Sequence, residues 1–364
     1  MVGIARTLLA IGVLCFGSLV GAQSADIYLQ LLRLYRDQPA LAAQTVAKLS
    51  PQAIDRGIEQ CRSGRCSWHE IRAGAMVHAD AAELLIGPLG YAARDQIRSG
   101  RELLQIATDL APSHHATNDD LKALASFGGR WYALSARLLL AHGHFEAARL
   151  LAVEGRIRYP ESPDLFVVLG LLSEWRAGLG LDAGDLRGYI VRGVLFERGL
   201  ATSGPYRGNA GQDLETAARD YRRAIAIDPE HAGARLRLAW AHLLSNDRRV
   251  WEAVSPAFIQ GASHEAQFLA HLLRGTAAER ERNAPSALAE YTAARSVVPT
   301  SQTACVAVSS AQALSGQLSD ARRTAAECLN PGTPAQAVDS WTLFRLGLMD
   351  STTTEALRAE ARRP

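Results

Sequence analysis

Small and aromatic residues recur at fixed spacings in the C-terminal half of the chain. The pattern Ala-x₃-Tyr-x₂-Ala-x₄-Pro occurs at 217–229 and again at 287–299, an offset of 70 residues (217 to 287). The offset is about twice the 34-residue period of a helix–turn–helix repeat. Small residues at such spacings let two antiparallel helices approach closely, while the tyrosine fills the space between them and the proline ends the second helix. The pattern predicts an all-α chain folded as an α-solenoid of antiparallel helix pairs.

The same small-residue, turn and proline positions extend beyond these two copies. They fit with full spacing in four stretches of the chain: 130–160, 214–229, 272–299 and 303–329. In the last of these the proline that ends the helix moves to Pro331. These stretches resemble tetratricopeptide repeats, and the chain is interpreted as an exported bacterial member of that family. The resemblance implies a superhelix in which the first helix of each pair lines a concave groove.

The remaining segments are arranged around this array. In chain order we predict a signal peptide, a divergent N-terminal helical region, the repeat array and C-terminal capping helices, at 1–22, 23–118, 119–332 and 333–364. An irregular, glycine-rich insertion is expected around 178–212, where the pattern fails. The end of an array must close its core on one side and face water on the other, which suits an amphipathic tail. The first capping helix, 338–348, carries Trp341 and Phe344.

The N-terminus has the layout of an export signal. Arg6 provides a positive start, and 7–20 is an apolar run that is too short to span a bilayer. Small residues precede Ala22, so we place signal cleavage after Ala22, with Ser24 as the alternative. The mature protein is therefore expected to be periplasmic or secreted, with no integral membrane segment.

Export changes how the cysteines are interpreted. Removal of the signal peptide leaves an even number of cysteines in an oxidising compartment, namely Cys61, Cys66, Cys305 and Cys328. These allow three pairings, and sequence proximity favours Cys61–Cys66 with Cys305–Cys328. A zinc site at Cys61 and Cys66 with His69 is the alternative, but the cysteine spacing is at the loose end of zinc patterns.

Charge and motifs argue against several functional classes. A net charge of +2 gives no support to nucleic-acid binding, which requires a clearly basic domain. His78, Asp80 and Glu83 suggest an acid–base site. On an α-helix, however, Glu83 is rotated by about 140° and Asp80 by about 200° from His78, so no single face carries all three. One of them is instead expected to be a buried, hydrogen-bonded core group. We find no motif for a phosphate loop or a serine nucleophile, so the chain is predicted to be no enzyme and to use no cofactor or metal.

Candidate binding residues follow from the resemblance. In tetratricopeptide arrays the first helix of each pair lines the groove. The resemblance therefore implies that the groove is lined by Arg130, Arg137, Arg237, Trp240 and Arg280. Arginines with one aromatic residue could grip an acidic peptide or a C-terminal carboxylate. The alternative is ordinary solvated arginines and a packed tryptophan. A second candidate contact lies in the insertion, at Tyr206 and Arg207.

The favoured function is an exported scaffold that binds a protein or peptide partner in its groove during a bacterial envelope process. Two alternatives stay open: an all-α carbohydrate- or peptidoglycan-active enzyme, and a purely structural spacer. Two carboxylates within about 5–10 Å in one cleft would favour the enzyme. A groove lined by arginine and apolar side chains would favour peptide binding.

Overall fold

A computed structural model describes residues 24–85, 90–114, 116–141, 144–180, 210–328 and 340–345 of the chain. All regular secondary structure in these residues is helical, which confirms the all-α prediction for them. The chain divides into two compact units. Unit 1 comprises 1–81 and 95–124, and unit 2 comprises 82–94 and 125–364. The predicted signal peptide and the end of the chain after residue 345 lie outside the described residues.

The first helices have the capping residues that their sequence predicts. They are α1 Ser24–Leu34, α2 Pro39–Val46, α3 Pro51–Gln60, α4 Trp68–Leu85, α5 Gly90–Leu110 and α6 Asn118–Ala141. Pro39 and Pro51 occupy the first turn of α2 and α3, where a missing N–H removes no helical hydrogen bond. Ser67 and Glu70 form a reciprocal capping box before α4, in which the Ser67 N–H donates to Glu70 Oε2 at 2.7 Å.

The core of unit 1 contains a buried histidine. The side chain of His78 is fully buried, with its Nε2 2.8 Å from the Tyr28 hydroxyl and its Nδ1 2.5 Å from Gln96 Oε1. Burial lowers the pKa of His78 to about 4, so the ring is neutral at physiological pH. Asp80 has a different partner, since it accepts from the Tyr35 hydroxyl at 2.6 Å. His78 is therefore the hydrogen-bonded core group that the sequence analysis expected.

Unit 2 stacks helix pairs. Its helices after α6 are α7 Phe145–Arg158, α8 Pro163–Gly180, α9 Ala210–Ile227, α10 Ala232–Leu244, α11 Val250–Ala253, α12 Pro256–Gly261, α13 His264–Arg280, α14 Ala284–Val297, α15 Gln302–Leu314, α16 Leu318–Cys328 and α17 Ser340–Arg345. Helices α8 and α9, α13 and α14, and α15 and α16 pack as pairs, and α9 contacts α10 as α14 contacts α15. The short helices α11 and α12 replace the second helix of the pair that begins with α10. Unit 2 is thus an α-solenoid with tetratricopeptide-like pairs, as predicted.

The repeated small and aromatic positions form the pair interfaces. Ala287 and Ala294 are fully buried on α14, and Tyr291 between them is 3% exposed. The Tyr291 ring packs on Gly275 of α13, where an added Cβ would lie 2.3 Å from Tyr291 Cε1. Tyr221 of α9 packs in the same way on a glycine of α8, Gly170. The pattern therefore marks a close helix–helix approach in which the first helix supplies a glycine opposite the tyrosine.

The predicted insertion is shorter at its ends than the sequence suggested. Helix α8 continues to Gly180 and α9 begins at Ala210, so 178–180 and 210–212 are helical rather than irregular. The pattern missed these turns because their glycines are poor helix formers, whereas packing of α8 on α9 favours the helix. Tyr206 and Arg207 lie outside the described residues.

The described residues contain two disulfides. Cys61 and Cys66 are bonded with their Cα atoms 4.5 Å apart, across a π-helical turn at Cys61–Arg65. Cys305 and Cys328 join α15 to α16 with a Cα separation of 5.7 Å. The thiols of the alternative zinc site are thus bonded to each other, and the described residues contain no cluster of three His, Cys, Asp or Glu suited to a metal ion. No described helix is both long and apolar enough to cross a membrane.

Candidate functional site

The short C-terminal helix α17 lies on the first helices of two pairs in unit 2. Trp341 and Phe344 of α17 are 9% and 4% exposed, and they belong to the same hydrophobic cluster as Trp240 of α10 and the buried leucines of α13. Helix α17 also packs directly against α13. We call Arg237, Trp240, Trp341 and Phe344 the Arg237 cluster.

The aromatic rings of the cluster contact one another in preferred geometries. Trp240 meets Trp341 edge-on, with centroids 5.8 Å apart and an interplanar angle of 86°. It meets Phe344 in a similar way at 6.2 Å and 73°. Trp341 and Phe344 are themselves stacked at 6.0 Å and 19°. Such edge-to-face and offset arrangements contribute beyond the area that they bury, so α17 is held by specific ring contacts.

Arg237 adds polar contacts to these rings. Its side chain is buried, and its Nη2 donates to the main-chain carbonyl of Phe344 at 2.6 Å. The guanidinium carbon lies 4.1 Å from the centroid of the Phe344 ring, a cation–π distance. Its Nη1 lies 3.4 Å from Glu174 Oε2, on α8. Arg237 therefore joins α8, α10 and α17 at one buried point.

The side chain of Glu174 contacts both Arg237 and Tyr221, one of the two tyrosines of the repeated pattern. The Glu174 side chain is fully buried, and its Oε1 accepts from the hydroxyl of Tyr221 at 2.6 Å. Tyr221 is one of the two tyrosines of the pattern, so its ring holds α9 to α8 while its hydroxyl orients Glu174. A buried carboxylate requires a charge partner and hydrogen bonds, and Arg237 and Tyr221 supply them.

Arg130 and Arg137 lie elsewhere in unit 2, near an acidic group of α8. Both are half-buried, and their charges act on Asp164. The ring of His231 accepts from the Ala234 N–H at Nδ1 and places Nε2 3.2 Å from Asp164 Oδ1. Burial disfavours ionisation of Asp164, but the hydrogen bond from His231 and the nearby positive charges hold the pKa of this carboxyl below its ordinary value.

Arg280 lies at a third location in unit 2, beside the C-terminal end of α10. Its Nη1 donates to the main-chain carbonyl of Leu243, in the last turn of α10. It lines a cleft with about 540 Å³ of void, part of which is open solvent, together with Asp247, Arg248 and Glu281. Arg280 thus satisfies a carbonyl at the C-terminal end of a neighbouring helix, a common role for arginine.

The five predicted binding residues therefore occupy three places. Arg237 and Trp240 meet in one buried cluster, Arg130 and Arg137 lie near Asp164, and Arg280 reaches the end of α10. The contact of α17 with Arg237 and Trp240 was not predicted from the sequence, because Trp341 and Phe344 were assigned to a capping helix. Two aromatic residues three positions apart in a short segment were the available signal, since they share one helix face.

Comparisons with known proteins add little to this geometry. No protein-family model matches the chain, and no curated protein sequence matches it. A solved structure described as the human IFIT1 dimer with m7Gppp-AAAA aligns with a TM-score of 0.41 and 13% identity, over 84% of this chain and 77% of that chain. At this TM-score the likeness supports no argument about ligands or partners. The repeat architecture rests on the helix pairs and their buried positions.

Proposed function

We propose that this protein is an exported tetratricopeptide scaffold that binds a protein or peptide segment on the first helices of the pairs in unit 2. One observation carries the proposal. Helices α10 and α13 hold a helical segment of peptide, α17, through three aromatic rings and an arginine that donates to a backbone carbonyl. A surface that holds one peptide segment in this way has the chemistry to hold another.

The contacts fit known modes of peptide recognition. Aromatic anchors in a desolvated cluster supply most of the affinity of such interfaces, and a short amphipathic helix presents them from one face. A guanidinium that donates to a main-chain carbonyl recognises the peptide backbone, so this hydrogen bond does not depend on the side chain of the bound residue. The cluster combines arginine with apolar side chains, the lining that favours peptide binding over hydrolysis.

Arg130 and Arg137 are the proposed charged part of this surface. They lie seven positions apart on α6, which places them on one face of the first helix of its pair. Their charges would attract the acidic groups of a partner, although Asp164 already offsets part of that charge.

Export to the periplasm or the medium is part of the proposal. Disulfides persist in oxidising compartments, and the chain has one in each unit. The apolar run at 7–20 has the length of the hydrophobic region of a signal peptide. Intact-mass measurement of the protein recovered outside the cytoplasm tests this, and cleavage after Ala22 or Ser24 is expected. A mass that retains 7–20 would contradict export by signal cleavage.

Site-specific photocross-linking tests the binding function. A photoreactive amino acid replaces Arg130 or Arg137 in the producing cell, and the matched control carries it at Arg149, a half-buried position on α7. We expect the same partner to be cross-linked from both first-helix positions and identified by mass spectrometry, with a clear excess over the control. Equal cross-linking from all three positions, or none, would favour a structural spacer and contradict the proposal.

A further inference from the structure

We infer that α17 is an intramolecular ligand of Arg237 and Trp240 on α10, and that the external partner is a helical segment with two aromatic residues three positions apart. The inference rests on the proposed function and specifies its partner. In this arrangement the chain occupies its own binding site, and a partner of matching chemistry displaces α17 to bind.

The position of α17 differs from that of a cap. The last helix pair described in the array is α15 and α16, whose outer side is where a capping helix would lie. Helix α17 contacts α13 and also Arg237 and Trp240 of α10, and both of these helices belong to earlier pairs. The hydrogen bond from Arg237 to the Phe344 carbonyl spans 107 positions of sequence. The C-terminal segment therefore returns to the middle of unit 2.

The contacts of α17 define what the site recognises. Trp341 and Phe344 stack on each other, and each meets Trp240 in an edge-to-face arrangement. Arg237 covers the Phe344 ring and binds the carbonyl of the same residue. A competing helix must supply two rings at positions i and i+3 and an accessible carbonyl at the second ring. Leucine in place of the second ring would keep apolar contact and lose the cation–π contact.

The arrangement predicts a measurable suppression of binding. A tethered segment competes at an effective concentration of the order of 1 mM when its linker can span the sites. A helix with two anchors is expected to bind with a Kd of about 10–100 μM. The ratio of these values gives about 10- to 100-fold weaker binding of an external helix to the wild-type protein than to a variant with an open site.

The test uses the full chain and a fluorescent peptide with the sequence of residues 336–348. Fluorescence anisotropy compares its Kd for the wild-type protein with that for Trp341→Ala/Phe344→Ala, in which the internal rings are removed. We expect the double variant to bind about 10- to 100-fold more tightly than the wild type. Arg237→Ala in the double variant is expected to weaken binding at least tenfold, whereas Arg149→Ala leaves it unchanged.

Controls make each outcome decisive. A peptide with both aromatic residues replaced by alanine is expected not to bind, and circular dichroism verifies that each variant retains its helix content. If the double variant fails to fold, Phe344→Leu in the full chain replaces it, with a smaller gain in peptide affinity expected. Equal affinity for wild type and variant, or no binding to a folded variant, overturns the inference. A partner cross-linked at Arg130 and Arg137 would then still support the scaffold function, with a different recognition chemistry.

Discussion

Substitution of Arg237 by methionine removes the charge that joins three helices while keeping a long apolar side chain. Glu174 would keep the hydrogen bond from Tyr221 but lose the Arg237 cation, and the Phe344 carbonyl would lose the Arg237 donor. Removing one partner of a buried ion pair costs about 3–5 kcal/mol, because the other charge stays buried without compensation. The hydrogen bond to the Phe344 carbonyl is lost in the same substitution, so its free energy is not added separately. We expect the free energy of local unfolding to fall by about 3 kcal/mol.

Amide hydrogen exchange measured by mass spectrometry is the suitable assay, because repeat arrays open locally and one global unfolding value would hide the effect. A loss of about 3 kcal/mol corresponds to about 100-fold faster exchange when closing outpaces exchange. We expect this acceleration in peptides from α10, complete loss of the about 10- to 100-fold protection that docking gives α17, and no change in unit 1.

Two further variants isolate the cause. Arg149→Met breaks an exposed pair with Glu146 and is expected to leave exchange unchanged, since exposed pairs contribute little. Glu174→Gln combined with Arg237→Met removes the carboxylate charge that faced Arg237 and should recover at least tenfold of the protection. If Arg237→Met accelerates exchange by less than threefold, the buried pair does not stabilise this junction and the reasoning is wrong.

Three other predictions concern packing, cross-linking and pH. Gly275→Ala should destabilise unit 2 by about 1–2 kcal/mol in thermal unfolding, because overpacking against the facing ring outweighs the gain in helix propensity. Gly261→Ala, with open space around the added carbon, is the control and should show no loss. Replacing both Cys305 and Cys328 by alanine should cost about 3 kcal/mol in urea unfolding, as the chain-entropy model gives for a loop of this length, and an unchanged midpoint would contradict that value. The folded-state pKa of His78 is about 4 and the unfolded value is 6.5, so the neutral ring makes its full stabilising contribution above pH 6.5. As the pH drops to 4, the free energy of unfolding should therefore fall by about 3 kcal/mol more in the wild type than in His78→Gln. Urea unfolding across that range measures this difference, which should vanish if the ring titrates normally.

The helix pairs and their contact residues could be predicted from the sequence. Ala287, Tyr291 and Ala294 recur at intervals that only a close helix pair satisfies, and all three are buried as that reasoning requires. The cysteine pairs also followed from order along the chain, since both predicted pairs are bonded. These features depend on local spacing, which a sequence carries directly.

The occupant of the first-helix face was decided only by tertiary structure. The resemblance assigned Arg237 and Trp240 to the face that lines a groove, whereas the structure buries both against Trp341 and Phe344, which lie more than 100 positions further along the chain. Their contact depends on where the C-terminal segment returns, and this is determined by complementary rings and one carbonyl rather than by any local pattern. The burial of Arg237 has the same origin, because a buried guanidinium requires the Glu174 carboxylate of α8 and the carbonyl and ring of Phe344 on α17 to be brought to it from two other helices.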